Sequence, residues 1–307
     1  MCAADASSTR QGSFDKLIVL LLCLVSAGLF HSVGWMIARP VDPFGAVSLL
    51  GTASPIIALA ELCGLAAVVA GLAAVALRGR LPHAGLFAVA VGLAVMAARG
   101  SSADYMVRFP PAGTSRSAVF TLLAAEAVAW AVVIAVGVAT ARLVDTWLGV
   151  DTPDAPRAAQ EPGAHRKRKQ MSSGGVGNGL LCLLLCTVCA ALLIRTIGGT
   201  LVTAIHKGQV YFALAGGFYL ATLLSVTVSR TRRIIWPLLA VLLISLLGYL
   251  AGGQWPTAAA ADDYRQLSHV MPNFACRALP VEYLSAGVAG AIAGTWTGSR
   301  MASASAD

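Results

Sequence analysis

The sequence predicts an all-α, polytopic transmembrane helical bundle of eight spans, arranged as two tandem four-helix repeats in parallel orientation. Three observations carry this expectation. Hydrophobic residues make up 57% of the 307-residue chain and charged residues only 12%, with a mean hydropathy of +0.76; ordinary soluble domains carry about 25% charged residues. Eight apolar runs approach the roughly 20 residues that cross a bilayer of about 30 Å. Short motifs around the first four runs then recur, in the same order, around the last four. Such a composition excludes a disordered chain, a soluble enzyme and a disulfide-stapled secreted module.

The runs are Lys16 to Ala38, Pro55 to Leu77, a short one from Leu81 to Ala98, Ser117 to Ala141, Gly179 to Ala204, Gln209 to Ser229, Ile234 to Ala251 and Leu279 to Gly298. None alternates with period two, which argues against a transmembrane barrel. Helices satisfy their own backbone groups in lipid and are the expected solution. The runs are apolar on every face, unlike the amphipathic helices of a soluble protein. Pro237 falls in the first turn of its run, where a missing amide is tolerated. The stretch before Lys16 is long and nearly neutral, so the first run reads as a retained helix rather than a cleaved signal peptide.

The net charge is +8. The cations sit mostly between apolar runs, where they orient the chain and meet anionic lipid. With a cytoplasmic N-terminus, 14 of the 22 Lys and Arg residues fall inside and 8 outside. The clusters Arg78-Gly-Arg80, Arg166 to Lys169 and Arg230-Thr-Arg-Arg233 reinforce that sidedness. Both termini are therefore expected in the cytoplasm, and the Ala-, Leu- and Gly-rich helices suit a prokaryotic cytoplasmic (inner) membrane. No zinc-finger spacing, RNP-like motif or basic recognition helix points to nucleic acid.

The expected organisation is a cytoplasmic tail (1–15), a first membrane repeat (16–142), a basic Pro/Gly linker (143–178), a second repeat (179–299) and a short tail (300–307). The linker carries Pro153, Pro156 and Pro162 before the basic cluster and cannot bury enough apolar surface to order itself. It is expected to lie on anionic lipid headgroups, or to dock a soluble partner. The repeat rests on four matches: His31-Ser-Val-Gly34 with Arg195-Thr-Ile-Gly198, Arg78-Gly-Arg80 with Arg230-Thr-Arg232, Asp104-Tyr105 with Asp263-Tyr264, and Leu123-Ala-Ala-Glu126 with Leu279-Pro-Val-Glu282. Four helices per half place the pseudo-twofold axis along the membrane normal, as in parallel-repeat transporters.

Ionisable groups within hydrocarbon are costly and are candidates for function. His31, Glu61, Glu126, Arg195 and Glu282 all fall in the outer half of their runs, which predicts a polar pocket open to the outside between the repeats. A carboxylate in low dielectric takes a proton or finds a cation. Arg195 is the expected partner of Glu61, Glu126 or Glu282, and His31 can change charge near neutral pH. Interhelical packing pairs, or side chains snorkelling to the interface, are the structural alternative, above all for Glu282 near its helix start. Asp104, Tyr105, Asp263 and Tyr264 in the outer loops are further candidates for binding or for a lid, with a solvated cap as the plainer expectation.

Seven cysteines, mostly within apolar runs, are no disulfide framework. Cys182, Cys186 and Cys189 share one helix face and read as compact packing residues rather than metal ligands. Gly64, Gly71, the pair Gly216-Gly217, and Gly287, Gly290, Gly294 and Gly298 read as close-approach surfaces; a glycine pair can also break a helix at a transport site. No P-loop, HExxH or GxSxG is present, and no cofactor or metal is called for. The leading expectation is a small-solute or ion transporter. The alternatives are a non-catalytic membrane subunit or scaffold, with a membrane-protein partner or a second copy of the chain, and a membrane-embedded enzyme acting on a lipid or quinone.

Overall fold

The computed structural model describes residues 2–110, 114–150, 175–198, 206–231, 233–254 and 273–304, and these contain helices and no strand. The first helix, α1 (Cys2–Leu29), continues through a π turn (Phe30–Gly34) into α2 (Trp35–Ala38). A 3₁₀ turn (Leu49–Gly51) precedes α3 (Pro55–Leu77), which Pro55 opens at its first position. Then follow α4 (Ala84–Ala98), the short α5 (Ala103–Arg108) and α6 (Arg116–Trp147). The second half holds α7 (Gly175–Ile197), α8 (Lys207–Ser229) and α9 (Ile235–Gln254). A 3₁₀ turn (Phe274–Arg277) leads into α10 (Pro280–Glu282), a π turn (Tyr283–Gly287) and α11 (Val288–Ala304), which together form one rod.

Six helices among the described residues are long and apolar enough to cross a membrane, so the chain is a multi-pass membrane protein. They are Phe14–Ala38, Pro55–Leu77, Ser117–Trp147, Val176–Ile197, Lys207–Ser229 and Ile235–Gln254. Leu17, Leu24, Ile56, Leu184 and Leu192 stand exposed on them, as lipid-facing side chains do. Two of the eight expected runs do not meet this standard. The third has only 15 helical residues, about 22 Å of rise against a hydrocarbon core of roughly 30 Å. The eighth carries Glu282, Thr295 and Thr297 and is buried almost throughout its length from Pro280 to Gly298. It faces protein rather than lipid, so its outer surface need not be apolar.

That rod is the centre of the bundle. It packs on α8 along its length and touches α4, α6 and α9 near its start. Glycines set the approach. A methyl group at Gly290 would meet the carbonyl of Ala215, and one at Gly294 would meet the carbonyl of Tyr219. Gly287 has the ring of Phe218 at 3.0 Å from where its Cβ would stand. This is the close backbone packing expected where no hydrophobic drive exists between helices. Helix α8 runs unbroken through Gly216-Gly217. On the other side of α8, Gly217 faces Ile194 of α7. In the first half α1 lies on α4, where Gly92 admits Phe30 and the Ser26 hydroxyl donates to the Ala88 carbonyl at 2.7 Å.

Of the linker expected at 143–178, the described residues show α6 continuing to Trp147 and α7 beginning at Gly175. The basic cluster Arg166 to Lys169 lies outside the described residues, as do Asp263 and Tyr264.

Replacing Gly290 by Val should force α8 and α11 apart. Overpacking of this kind costs about 1–3 kcal/mol, and a thermal melt in detergent should show the loss. Gly64→Val is the matched control, since nothing stands within 4 Å of its Cβ position.

Candidate functional site

Two buried carboxylates occupy one end of the bundle, and each is held by the start of another helix. Glu126 of α6 is fully enclosed and accepts three hydrogen bonds. The Ser48 hydroxyl donates to Oε2 at 2.5 Å, while the Leu49 amide and the Trp130 indole each donate to Oε1 at 2.8 Å. Trp130 reaches it from one turn further along the same helix. Ser48 and Leu49 come from the segment that leads into α3, so Glu126 fastens the entry of α3 to α6.

Glu282 ends α10 and is 1% exposed. Its Oε2 accepts the Leu279 amide at 2.9 Å, a carboxylate reaching back over its own helix start. Its Oε1 stands 3.5 Å from the Lys207 ammonium, the first residue of α8. At that distance the contact is one of charge rather than of a well-formed hydrogen bond.

The hydrogen bonds of Lys207 go elsewhere. Its Nζ donates to the carbonyls of Ala97 at 2.5 Å, Gly100 at 2.7 Å and Ser101 at 3.1 Å. An ammonium has three protons and no acceptor, so the three carbonyls match its donors one for one. Those carbonyls lie in and just beyond the last turn of α4, where orphan acceptors and the negative end of the helix dipole collect. Tyr211, four residues on, adds its hydroxyl to the Ala94 carbonyl at 3.0 Å. One face of α8 therefore caps the C-terminus of α4, and the same cation neutralises Glu282.

A belt of satisfied polar groups surrounds the pair. The Tyr249 hydroxyl donates to the Ala278 carbonyl at 2.6 Å and that of Tyr283 to the Ala275 carbonyl at 3.1 Å, with the two rings edge to face. Asn273 and the Cys276 thiol both reach the Gly248 carbonyl. Burial pushes the Cys276 thiol up to about 12, with Asn273 opposing.

Loops close this end. Ser101 binds back to residues 44–45, through its amide to the Gly45 carbonyl at 3.1 Å and its hydroxyl to the Phe44 carbonyl. The Tyr105 hydroxyl donates to Asp42 at 2.9 Å, which raises the phenol above its usual range. Arg99 donates to the His31 carbonyl at 2.7 Å and lies over the Trp35 ring. Asp104 is half-buried, and burial holds its carboxyl above the ordinary value against the opposing pull of Arg277 and Arg108.

The structure does not gather the five expected residues into one open pocket. His31, Glu61 and Arg195 are exposed on the flanks of the bundle, while Glu126 and Glu282 are inside. Two expectations are corrected. The cation beside Glu282 is Lys207 rather than Arg195, because Lys207 opens α8 at the depth where the rod enters. Glu282 does not snorkel, because its rod is central and its first turn is covered on all sides. Cys182 and Cys186 are buried in the bundle, the latter with its sulfur 3.4 Å from the Thr222 hydroxyl. Lys207, Ser48 and Tyr211 were not singled out in the sequence. A trace of the α8 contact is the spacing of Lys207 and Tyr211, four residues apart at a helix start.

No protein-family model, curated protein or solved structure matches the chain.

Two outcomes follow. Gln at position 126 can keep Oε1 as the acceptor for Leu49 and Trp130 and turn its amide toward Ser48, so Glu126→Gln should cost under about 1 kcal/mol, whereas Glu126→Leu strands buried donors and should cost about 3 kcal/mol or more by denaturant unfolding. The folded protein binds the Asp104 proton more tightly than the unfolded chain, so this group's contribution makes stability fall as pH rises from the ordinary aspartate value through the raised one. Asp104→Asn should remove that fall from a series of melts across pH.

Proposed function

We propose that this multi-pass membrane protein is a small-solute or ion transporter whose proton- or cation-accepting groups are Glu126 and Glu282. The observation that carries the reading is the Glu282–Lys207 pair, a carboxylate and an ammonium 3.5 Å apart at the closed end of an apolar bundle, where Lys207 also reaches the first half. Charges in such a setting are expensive, and they mark ion and proton pathways more often than they serve packing alone. The site is in a closed state on this view, with the 39–54 segment and the α4–α5 loop as its cover.

The eight spans, the two repeats (16–142 and 179–299) and the cytoplasmic placement of both termini in a prokaryotic inner membrane belong to the same proposal. Two details support a repeat. Arg78 and Arg230 both end their helices in the left-handed conformation. Glu126 and Glu282, at matching places in the fourth and eighth runs, each bind the entry of the second helix of their own half, α3 and α8 respectively. The basic linker would rest on anionic headgroups of the cytoplasmic leaflet.

A second reading, a non-catalytic membrane subunit or scaffold, is favoured by one observation: both carboxylate oxygens of Glu126 are already satisfied by protein donors.

The test uses proteoliposomes loaded with a pH-sensitive dye and energised by a potassium gradient with valinomycin. The transporter reading expects internal pH to change with wild-type protein, and the rate to fall about ten-fold or more in Glu126→Gln, whose fold the geometry preserves, and in Glu282→Gln. Wild-type vesicles no faster than empty ones, together with a partner that co-purifies in fixed ratio, would favour the scaffold.

A further inference from the structure

A cavity of about 310 Å³ opens at the opposite end of the bundle, between the last turns of α3 and α6 and the start of α4. Its size lies at the lower limit of small-molecule sites. The wall is mostly apolar, formed by residues such as Ala73, Leu77 and Val138, and two charged side chains line it together, Arg142 and Asp145. They stand three residues apart on α6 and so share a face of that helix. Oδ1 of Asp145 is shielded from solvent and has no hydrogen-bond partner among the described protein atoms. A buried acceptor left without a donor is costly, and here it belongs to a carboxylate on a cavity wall.

The backbone around the cavity is unusual in the same place. The turn joining α3 to α4 carries Arg78 at φ 43°, Gly79 at φ 71° and His83 at φ 65°. Two of these are non-glycine residues in a region that L side chains rarely adopt, and such strain concentrates at binding sites. Gly79 is also pressed against the side chain of Val150, which follows α6. The turn is anchored from behind by the Trp296 indole, which donates to the Pro82 carbonyl at 2.9 Å.

Depth fixes the chemistry further. The cavity sits beside the last turns of two helices long and apolar enough to cross a membrane, and a site at such helix ends would meet lipid headgroups. Trp147, in the last turn of α6, is 86% exposed, as residues of the interfacial aromatic belt are.

We propose that this cavity binds a zwitterionic phosphoethanolamine group, with its ammonium on Asp145, its phosphate on Arg142 and an attached acyl chain along the apolar wall. The ammonium pairs with the part-exposed Asp145 carboxylate on the cavity wall, and the guanidinium fork suits phosphate. The group can come from a bilayer lipid, phosphatidylethanolamine, or from a soluble phosphoethanolamine, and the apolar wall and exposed Trp147 favour the lipid. The site is independent of Glu126 and Glu282 and does not rest on the transport reading.

The full chain, purified in a delipidating detergent and titrated with phosphatidylethanolamine or phosphatidylglycerol, can be followed by native mass spectrometry. Phosphatidylethanolamine should bind about ten-fold more tightly than phosphatidylglycerol, as expected for a charge-assisted hydrogen bond present in only one of them. Asp145→Asn should abolish that preference and Asp145→Glu retain it. Should Asp145→Asn fail to fold, Arg142→Gln alters an exposed side chain and serves in its place. It should weaken phosphatidylethanolamine but leave dodecylammonium, which has no phosphate, unaffected. Free phosphoethanolamine that binds as tightly as the lipid would uphold the headgroup chemistry with a soluble source. Equal binding of the two lipids, or a preference that survives Asp145→Asn, would overturn the proposal.

Discussion

One cation ties the two halves together at the end of the bundle where the buried carboxylates lie. The Lys207 ammonium gives all three protons to carbonyls at the end of α4 and lies beside the Glu282 carboxylate. Each partner needs it. Helix α4 is short, and its last carbonyls have no partner within their own helix. Glu282 begins the central rod and would otherwise be an uncompensated buried charge. A single side chain thus answers the end of one helix, the start of another and the register of the rod between them. An apolar contact could supply similar energy, but it would not fix which turn of α8 faces the end of α4.

The rest of the bundle is arranged around that fixed point. With the start of α8 set by Lys207, the glycines of α11 can lie directly against α8 carbonyls, an approach that tolerates little sliding. The opposite end is held differently, through Trp296 on Pro82 and the Arg80–Asp15 pair at 3.4 Å. That pair is exposed and contributes little. The two ends therefore differ in kind: one is closed by buried charge and loop contacts, and the other is open enough to hold a cavity.

Much of the helical plan was legible in the sequence, because apolar length is a direct physical requirement of crossing lipid. Pro55 to Leu77 matches to the residue. Helix ends were less clear where polar residues continue a helix into water, as after Ala141 and before Gly179. Hydropathy also could not separate a lipid-facing span from the eighth run, whose neighbours are protein on all sides. Glu126 and Glu282 could be picked out because a carboxylate in an apolar run is conspicuous. Their partners could not. Ser48 is an ordinary loop serine, and Lys207 resembles any cation at the edge of a span; both acquire meaning only through contacts across 75 or more residues. His31, Glu61 and Arg195 were equally conspicuous, yet they point outward, because depth along a helix says nothing about which face a side chain occupies.

The account turns on Lys207 and Glu282 acting as a coupled pair, and a double-mutant cycle measures that coupling. Stability would be determined in the same detergent for the wild type, Lys207→Met, Glu282→Gln and the combination of both. Each single change should be destabilising, and the combined protein should be more stable than the sum of the two losses implies, by about 1–3 kcal/mol. Losses that add to within about 0.5 kcal/mol would mean that the two groups do not interact, and Lys207 would then serve the end of α4 alone, with Glu282 left as a separate buried group.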